Sequence, residues 1–313
     1  MSAPRASART QHVGRFAPSP TGPLHLGSVV SAIGSWLETR RAGGRWLLRF
    51  DDLDRARNAP GAEAAIRREL VRLGLEWDGA HTRQSADPRR YADAIASLRG
   101  AALAFPCACT RSALVRGVYP GICRDGMPPG GTERSLRLRV NDRLTVLDDA
   151  VQGRFEQRLR SQLGDFVIRR ADGIVAYHLA TVVDDARAGV THVIRGADLL
   201  VSTPRQIALQ RALGLATPRY AHLPVVVDAH GRKLSKQSGA QGTHTAPAAA
   251  LWRTALDMLG HPPPAPLRDA PAARLRDWAL AAWSLSRVPR SPAQAPVQAT
   301  ICGDPAGVAA AAR

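Results

Sequence analysis

The segment that decides the fold reads VGRFAPSPTGPLHLG and occupies residues 13–27. Its first five residues predict a short buried strand, which the prolines and the glycine between Pro18 and Pro23 bring to an end. A stretch with helical spacing follows over residues 28–42 and stops at Gly43-Gly44. A strand that turns directly into a helix presents N–H groups and the positive end of the helix dipole to phosphate. The segment therefore predicts a phosphate-handling turn.

Strands and helices alternate outward from this turn. Strands are predicted at 46–50, 166–170, 191–194 and 224–227, and helices at 61–73, 88–99 and 203–213. This order favours an α/β fold with a doubly wound parallel sheet of the Rossmann type.

Cysteine-rich turns and short β-like stretches interrupt the alternation and indicate an insertion. Two further helical candidates, at 250–260 and 271–285, follow the second half of the sheet. We expect a disordered lead-in at 1–11, catalytic-domain halves at 12–100 and 166–240, the insertion at 101–165, a helical region at 241–290 and a disordered tail at 291–313.

The charge balance favours a polyanionic partner. The 313 residues carry a formal net charge of +17, and a basic field attracts RNA, DNA or nucleotides. A general bias toward arginine is the alternative, but it explains the excess of basic over acidic residues less well. The sequence contains no run of about 18 apolar residues, which a membrane span would need. Its first residues lack the apolar core of a secretory signal. We expect a cytoplasmic protein.

The two lysines of the chain stand in one short motif. Of 43 basic residues only Lys233 and Lys236 are lysine, and they lie three residues apart in KLSKQ. Lysine is a compact point charge that the planar fork of arginine does not replace at a tight phosphate site. Their position predicts a chemical role for this segment.

Three of the four cysteines lie within 17 residues. Cys107, Cys109 and Cys123 form a C-x-C-x13-C pattern, whereas Cys302 stands apart in the alanine-rich tail. The pattern predicts a metal site rather than a disulfide pair. The alternative is a set of reduced thiols without metal.

Residues 14–54 and 165–240 resemble the catalytic domain of class I glutamyl-tRNA synthetases. His25-Leu26-Gly27 is similar to their "HIGH" motif and the segment 233–237 to "KMSKS". The resemblance implies that ATP, with Mg²⁺, activates L-glutamate as glutamyl-adenylate. It also implies catalytic roles for His25, Gly27, Lys233 and Lys236, in which His25, Gly27 and Lys236 bind ATP and Lys233 supports the loop.

The same resemblance implies a glutamate pocket and a zinc site. Arg15 would pair with the side-chain carboxylate, and Asp51, which is usually Glu in the family, would hold the α-amine. The implied pocket consists of Arg15, Phe16, Ala17, Pro18, Ser19, Asp51, Tyr177 and Arg195. Tyr119 would join the three cysteines around one structural zinc ion per chain.

The length of the region after the lysine motif indicates which part of a tRNA would receive the activated glutamate. Only 76 residues follow Gln237, which fits neither a large helical anticodon-binding domain nor β-barrels. The chain thus resembles the short paralogues called glutamyl-Q tRNA(Asp) synthetases, which implies transfer of glutamate to the queuosine base in the anticodon stem-loop of tRNA(Asp).

Three other functions stay open at this point. A truncated synthetase would charge the 3′ end of a tRNA, and a silent paralogue would only bind RNA. A nucleotidyltransferase of the wider "HIGH" superfamily would make a small cofactor. The presence of His25, Lys233 and Lys236 argues against a silent protein.

Overall fold

A computed structural model describes residues 11–227 and 243–290 and the backbone of 293–294. Within these ranges the strands are β1 (Val13–Phe16), β2 (Arg45–Phe50), β3 (Thr82–Arg83), β4 (Ala104–Cys107), β5 (Ser135–Leu138), β6 (Leu144–Asp149), β7 (Gly153–Arg158), β8 (Phe166–Arg169), β9 (His192–Gly196), β10 (Arg219–Leu223), β11 (Val226–Val227) and β12 (Ala293–Gln294). The helices are α1 (Leu26–Arg41), α2 (Ala62–Arg72), α3 (Arg89–Gly100), α4 (Leu159–Gln162), α5 (Tyr177–Arg187), α6 (Thr203–Ala212), α7 (Ala248–Met258) and α8 (Ala272–Ala282).

A parallel sheet forms the centre of the molecule. β2 pairs in parallel with both β1 and β3, and β9 pairs in parallel with β10. The Thr191 N–H donates to the Val13 carbonyl over 3.0 Å and brings the start of β9 beside β1. The resulting order β3-β2-β1-β9-β10 places β1 at the point where the connections change direction. The predicted doubly wound α/β fold is confirmed.

The two faces of this sheet differ in chemistry because successive strand residues point to opposite sides. On one face Phe16, Leu48 and Leu223 belong to a single buried apolar cluster with residues of α1, α2, α7 and α8. On the other face the alternate positions include Arg15 and Arg49, both about 5% exposed. The sheet therefore has one hydrophobic face and one face that holds buried charge.

The inserted region builds its own antiparallel structure. β5 pairs with β4 and with β8, and β6 pairs with β7 as a hairpin. The sequence pattern assigns residues 166–170 to the second half of the catalytic domain. In the structure Phe166–Arg169 form β8, which hydrogen-bonds to β5 of the inserted region. The hairpin reaches the central sheet, since the Ala150 N–H donates to the Tyr220 carbonyl over 3.0 Å.

The end of the sheet differs most from the sequence prediction. β10 has no counterpart among the predicted strands, and the predicted strand at 224–227 is reduced to the two residues of β11, which pair with β12. None of the described helices is long and apolar enough to cross a membrane. The predicted lead-in, apart from Gln11, and the segment that contains Lys233 and Lys236 lie outside the described residues, as does the predicted tail apart from 293–294.

Candidate active site and metal centre

A cleft opens at the carboxyl ends of β1, β2 and β9, where α/β sheets of this kind bind ligands. Its cavity volume is about 230 Å³. It is lined by nine of the residues that the sequence predicts for the site: Arg15, Phe16, Ala17, Pro18, His25, Gly27, Asp51, Tyr177 and Arg195. Ser19 is not among the lining residues; it is exposed on the turn after β1, and its carbonyl accepts the Thr21 N–H.

His25 opens α1 as its N-terminal capping residue. Its backbone is extended (φ −97°, ψ 167°), and Nδ1 accepts the Ser28 N–H over 3.3 Å. Because Nδ1 accepts, the hydrogen of the neutral ring lies on Nε2, which is 3.0 Å from the Ser28 hydroxyl. An imidazole thus takes the place of the usual Ser, Thr or Asp cap and lies beside the positive end of a 16-residue helix. This arrangement can receive phosphate.

Arg15 is held in the cleft by Asp185 of α5. Its Nε donates to Oδ2 over 3.1 Å, and Nη1 of Arg49 donates to Oδ1 of the same carboxylate over 2.6 Å. Burial by itself raises the pKa of Asp185, but the charges of Arg15 and Arg49 outweigh it and lower the pKa. Asp185 is therefore ionised, and it orients both guanidinium groups.

Asp51 follows β2 and is held by Arg49 as well. Nε of Arg49 donates to its Oδ1 over 2.7 Å. Burial raises the pKa of Asp51, and this effect and the nearby Asp184 and Asp185 outweigh the attraction of Arg49. A cationic amine bound in the cleft would offset this cost of keeping the carboxylate charged. Although aspartate is one methylene shorter than the usual glutamate, Asp51 still reaches the lining of the cleft.

Several residues of this buried charged layer were not found from the sequence. Arg49, Asp185 and Asp184 join strand β2 to helix α5, and Asp149 and His222 join the insertion to β10. The only sequence signal for them is the pair Asp184-Asp185 inside an otherwise apolar helical stretch. The contacts that join these elements span 73 to 170 residues of the chain, so no local pattern connects them.

The predicted metal ligands Cys107, Cys109 and Cys123 come together within the inserted region. Their sulfur atoms all lie within 4.8 Å of one another, and those of Cys109 and Cys123 are 3.6 Å apart. Sulfur atoms around a tetrahedral zinc ion, each at about 2.3 Å, are separated by roughly 3.8 Å. The three thiols therefore fit a zinc ion.

Tyr119 lies next to the same thiols. Its hydroxyl oxygen is 3.5 Å from Cys107 Sγ and accepts the Cys123 N–H over 2.8 Å. Gly164 allows this packing, because a side chain at its φ of 74° would place Cβ 2.3 Å from the Tyr119 carbonyl oxygen. The phenol thus lies beside the thiol of Cys107, and it supports the loop that holds Cys123.

Arg137 makes the cluster electropositive. Its guanidinium lies 3.8 Å from the centre of the Tyr119 ring, and Nε donates to Cys107 Sγ over 3.2 Å. Burial raises the pKa of the Cys107 thiol, but hydrogen bonds with Tyr119 and Arg137 outweigh it and lower the pKa to about 7. Cys107 can therefore offer a thiolate, which is the form that binds metal.

Two partly buried histidines predict that the protein loses stability in mild acid. Burial, followed by nearby positive charge, lowers the pKa of His12 to about 4 and that of His178 to about 3. Below about pH 6.5 the unfolded chain protonates these histidines while the folded chain does not. The free energy of unfolding should therefore fall between pH 7 and 5, by up to about 1.4 kcal/mol per pH unit for each histidine. Urea denaturation over this range measures the slope.

The variant His178→Gln separates this effect from other titrations. It should show a shallower loss of stability between pH 7 and 5 than the wild type. A free energy of unfolding that stays constant or increases toward pH 5 would contradict the assignment.

The chain is similar in sequence to known tRNA synthetases. The family model described as "tRNA synthetases class I (E and Q), catalytic domain" matches residues 12–117 and 127–247. A glutamyl-Q tRNA(Asp) synthetase of Thiobacillus denitrificans is 49% identical over 288 residues, which cover 90% of this chain and 96% of that protein. Its counterpart in Chromobacterium violaceum is 51% identical over 292 residues, which cover 91% and 97%.

Solved structures are similar as well. The glutamate-tRNA synthetase of Elizabethkingia anophelis has a TM-score of 0.77 and 26% identity, and the match covers 92% of this chain and 68% of that one. A glutamate tRNA ligase of Elizabethkingia meningosepticum, solved in complex with its amino acid, has a TM-score of 0.76 and 26% identity, with 91% and 67% covered.

Proposed function

The chain belongs to the class I tRNA synthetases for glutamate and glutamine, and from this premise we propose that it is a ligase that activates L-glutamate with ATP and transfers it to tRNA(Asp). The acceptor is the queuosine base of the anticodon loop. One observation supports the activation step above all others, namely that a single cleft contains Arg15, Asp51 and the His25 end of α1. Arg15 offers a cation, Asp51 an anion, and the start of α1 at His25 a phosphate site.

The cleft matches the charges of glutamate. Arg15 binds the side-chain carboxylate with the part of its guanidinium that Asp185 does not hold, and Arg195 adds a second cation to the lining. Asp51 accepts the α-ammonium group, whose charge offsets the cost of the buried carboxylate. Tyr177 at the start of α5, which is 40% exposed, covers the amino acid from the open side. Phe16, Ala17 and Pro18 form the floor beside Arg15.

Activation needs positioning and electrostatic stabilisation rather than an enzyme-bound intermediate. The α-carboxylate of glutamate attacks the α-phosphorus of ATP, and the bond to pyrophosphate breaks. His25 donates from Nε2 to a phosphoryl oxygen, while Gly27, which has no side chain, allows the nucleotide to approach the backbone of α1. Lys236 binds ATP and Lys233 supports the segment around it. Mg²⁺ accompanies ATP and neutralises phosphate charge.

The cysteine cluster has a structural role in this proposal. Cys107, Cys109 and Cys123, with Tyr119 in the fourth position, hold one zinc ion per chain. Bound zinc links β4 to the loop at Cys123, in a region whose own apolar cluster is small. None of the three cysteines lines the cleft, which is consistent with a role in stability rather than in catalysis.

The acceptor is inferred from the relatives and from charge. The two relatives described above carry the name glutamyl-Q tRNA(Asp) synthetase and are matched over 96% and 97% of their length. A net charge of +17 favours approach to the phosphates of an anticodon stem-loop. A tRNA substrate of this kind places the reaction in the cytoplasm.

Glutamate-dependent exchange of pyrophosphate into ATP, measured without RNA, tests the activation step. Exchange with glutamate and not with glutamine or aspartate is the expected result. Absence of exchange would favour an accessory protein that only binds RNA. A protein that exchanges but labels the 3′ end of tRNA would instead be a synthetase of the ordinary kind.

The scarcity of lysine leads to a prediction for Lys236→Arg. Because arginine cannot replace a point charge at a tight phosphate site, exchange should fall about 100-fold or more. The neighbouring change Arg232→Lys exchanges the same two residue types outside the KLSKQ motif. It serves as the matched control and should leave exchange within about twofold. Wild-type exchange by Lys236→Arg would remove this role for the lysine.

A further inference from the structure

Arg195 is held by a chain of contacts that begins in the inserted region. Arg195 in β9 and His222 in β10 are direct partners in the parallel register, so their side chains share the buried charged face of the sheet. Asp149 ends β6 of the inserted hairpin, and its side chain and that of His222 are both 0% exposed. The chain of contacts is therefore shielded from solvent.

Asp149 determines which nitrogen of His222 carries hydrogen. Its Oδ1 accepts the backbone N–H groups of His222 and Gln152 over 3.0 and 2.8 Å, and its Oδ2 lies 2.6 Å from His222 Nδ1. Such a carboxylate stays ionised, so it requires hydrogen on Nδ1. Burial keeps the imidazole neutral, and this leaves Nε2 as an acceptor.

Nε2 of His222 then fixes the guanidinium of Arg195. Arg195 Nε donates to it over 3.1 Å, and Arg195 Nη2 donates to Thr203 Oγ1 over 2.9 Å and to Gln206 Oε1 over 2.8 Å. Three of the five N–H groups are thereby occupied. The remaining two are on Nη1, which is buried and has no hydrogen-bond partner among the described residues.

We propose that Asp149 and His222 form a positioning pair that orients Arg195 so that its Nη1 is the donor offered to bound glutamate. The pair touches no substrate and acts only through Arg195. This role rests on the proposed function, because it needs glutamate in the cleft that Arg195 lines. It gives the inserted hairpin a part in amino-acid binding, since Asp149 comes from that hairpin.

Two substitutions of one residue separate positioning from mere structural support. In His222→Asn the amide nitrogen stands in place of Nδ1 and keeps the contact with Asp149, but residue 222 no longer offers an acceptor to Arg195 Nε. In His222→Gln the amide oxygen stands in place of Nε2 and keeps an acceptor for Arg195. Each variant loses the contacts of one ring nitrogen: Nε2 in the asparagine variant, where Thr203 Oγ1 also lies 3.1 Å away, and Nδ1 in the glutamine variant. A purely structural role therefore predicts similar effects of both on the KM for glutamate.

The readouts are the KM for glutamate, the KM for ATP and kcat in pyrophosphate exchange, together with the melting temperature of each variant. For His222→Asn we expect the KM for glutamate to rise about 10- to 100-fold with an unchanged KM for ATP, the range for losing a hydrogen bond to a charged group. For His222→Gln we expect a KM for glutamate within about threefold of the wild type. Tyr220→Phe, which removes a hydroxyl from the same buried layer and keeps its ring near Arg195, is the control and should change neither KM.

The outcomes distinguish this role from the proposed function. A wild-type protein without glutamate-dependent exchange would overturn the proposed function, and the role of the pair with it. Exchange in the wild type, combined with an equal KM for glutamate in the asparagine and glutamine variants, would overturn the positioning role alone.

Discussion

Replacement of Arg15 by glutamine is expected to lower kcat/KM for glutamate in pyrophosphate exchange by about 1000-fold or more. The guanidinium belongs to the penultimate residue of β1 and lines the cleft, and a neutral amide cannot pair with the side-chain carboxylate of the substrate. The KM for ATP should change little, because the proposed nucleotide site lies at the His25 end of α1. The variant should fold, since Arg49 Nη1 still lies 2.6 Å from Asp185.

A second arginine of the same buried layer provides the control. Arg90 donates from Nε to Asp184 over 2.5 Å, next to Asp185 on α5, and it does not line the cleft. Arg90→Gln therefore removes a guanidinium from a buried aspartate of the same helix without changing the pocket. We expect it to reduce thermal stability but to keep the KM for glutamate. A loss of activity in Arg90→Gln as large as that in Arg15→Gln would mean that the layer supports the fold rather than the substrate.

The second large effect is expected at the cysteine cluster. Cys109→Ser should lower the metal content of the purified protein from one zinc per chain toward zero and lower the melting temperature by about 10 °C or more. Structural zinc contributes several kcal/mol to folding, and each kcal/mol corresponds to about 2–4 °C in a protein of this size class. Elemental analysis and a thermal melt measure the two quantities.

Cys302→Ser is the matched control, because that cysteine lies far from the other three in sequence. It should keep both the metal and the melting temperature. A wild-type protein that contains no metal, or a Cys109→Ser variant as stable as Cys302→Ser, would contradict the zinc assignment. In that case the hydrogen bonds of Tyr119 and Arg137 would hold the loop without metal.

The sequence predicted those parts of the fold that local chemistry determines. β1 and α1 follow from a strand, a proline-glycine turn and helical spacing, and the structure places both within one or two residues of the predicted bounds. β10 was missed because its residues, RYAHL, include an arginine and a histidine that argue against a buried strand. His222 is buried because Asp149, 73 residues earlier in the chain, holds it.

The candidate site was predicted by resemblance, and its buried support was not. The resemblance implied Arg15, Asp51 and Arg195 as residues of the glutamate pocket, and all three line the cleft. No periodicity could show that Asp185 bonds to Arg15, 170 residues away, because that contact exists only after α5 has packed on the sheet. The sequence shows that residue 51 is an aspartate, whose side chain is shorter than that of the usual glutamate. Only the fold shows that Arg49 holds this shorter carboxylate.

The central claim is that glutamate activated in this cleft is transferred to an anticodon base. The most direct measurement incubates the protein with ATP, labelled glutamate and tRNA(Asp) that carries either queuosine or guanosine, and then maps the label by nuclease digestion. The claim predicts label in the anticodon-loop fragment, only with the queuosine-containing tRNA. Label in the 3′-terminal fragment, or equal label with both tRNAs, would contradict it.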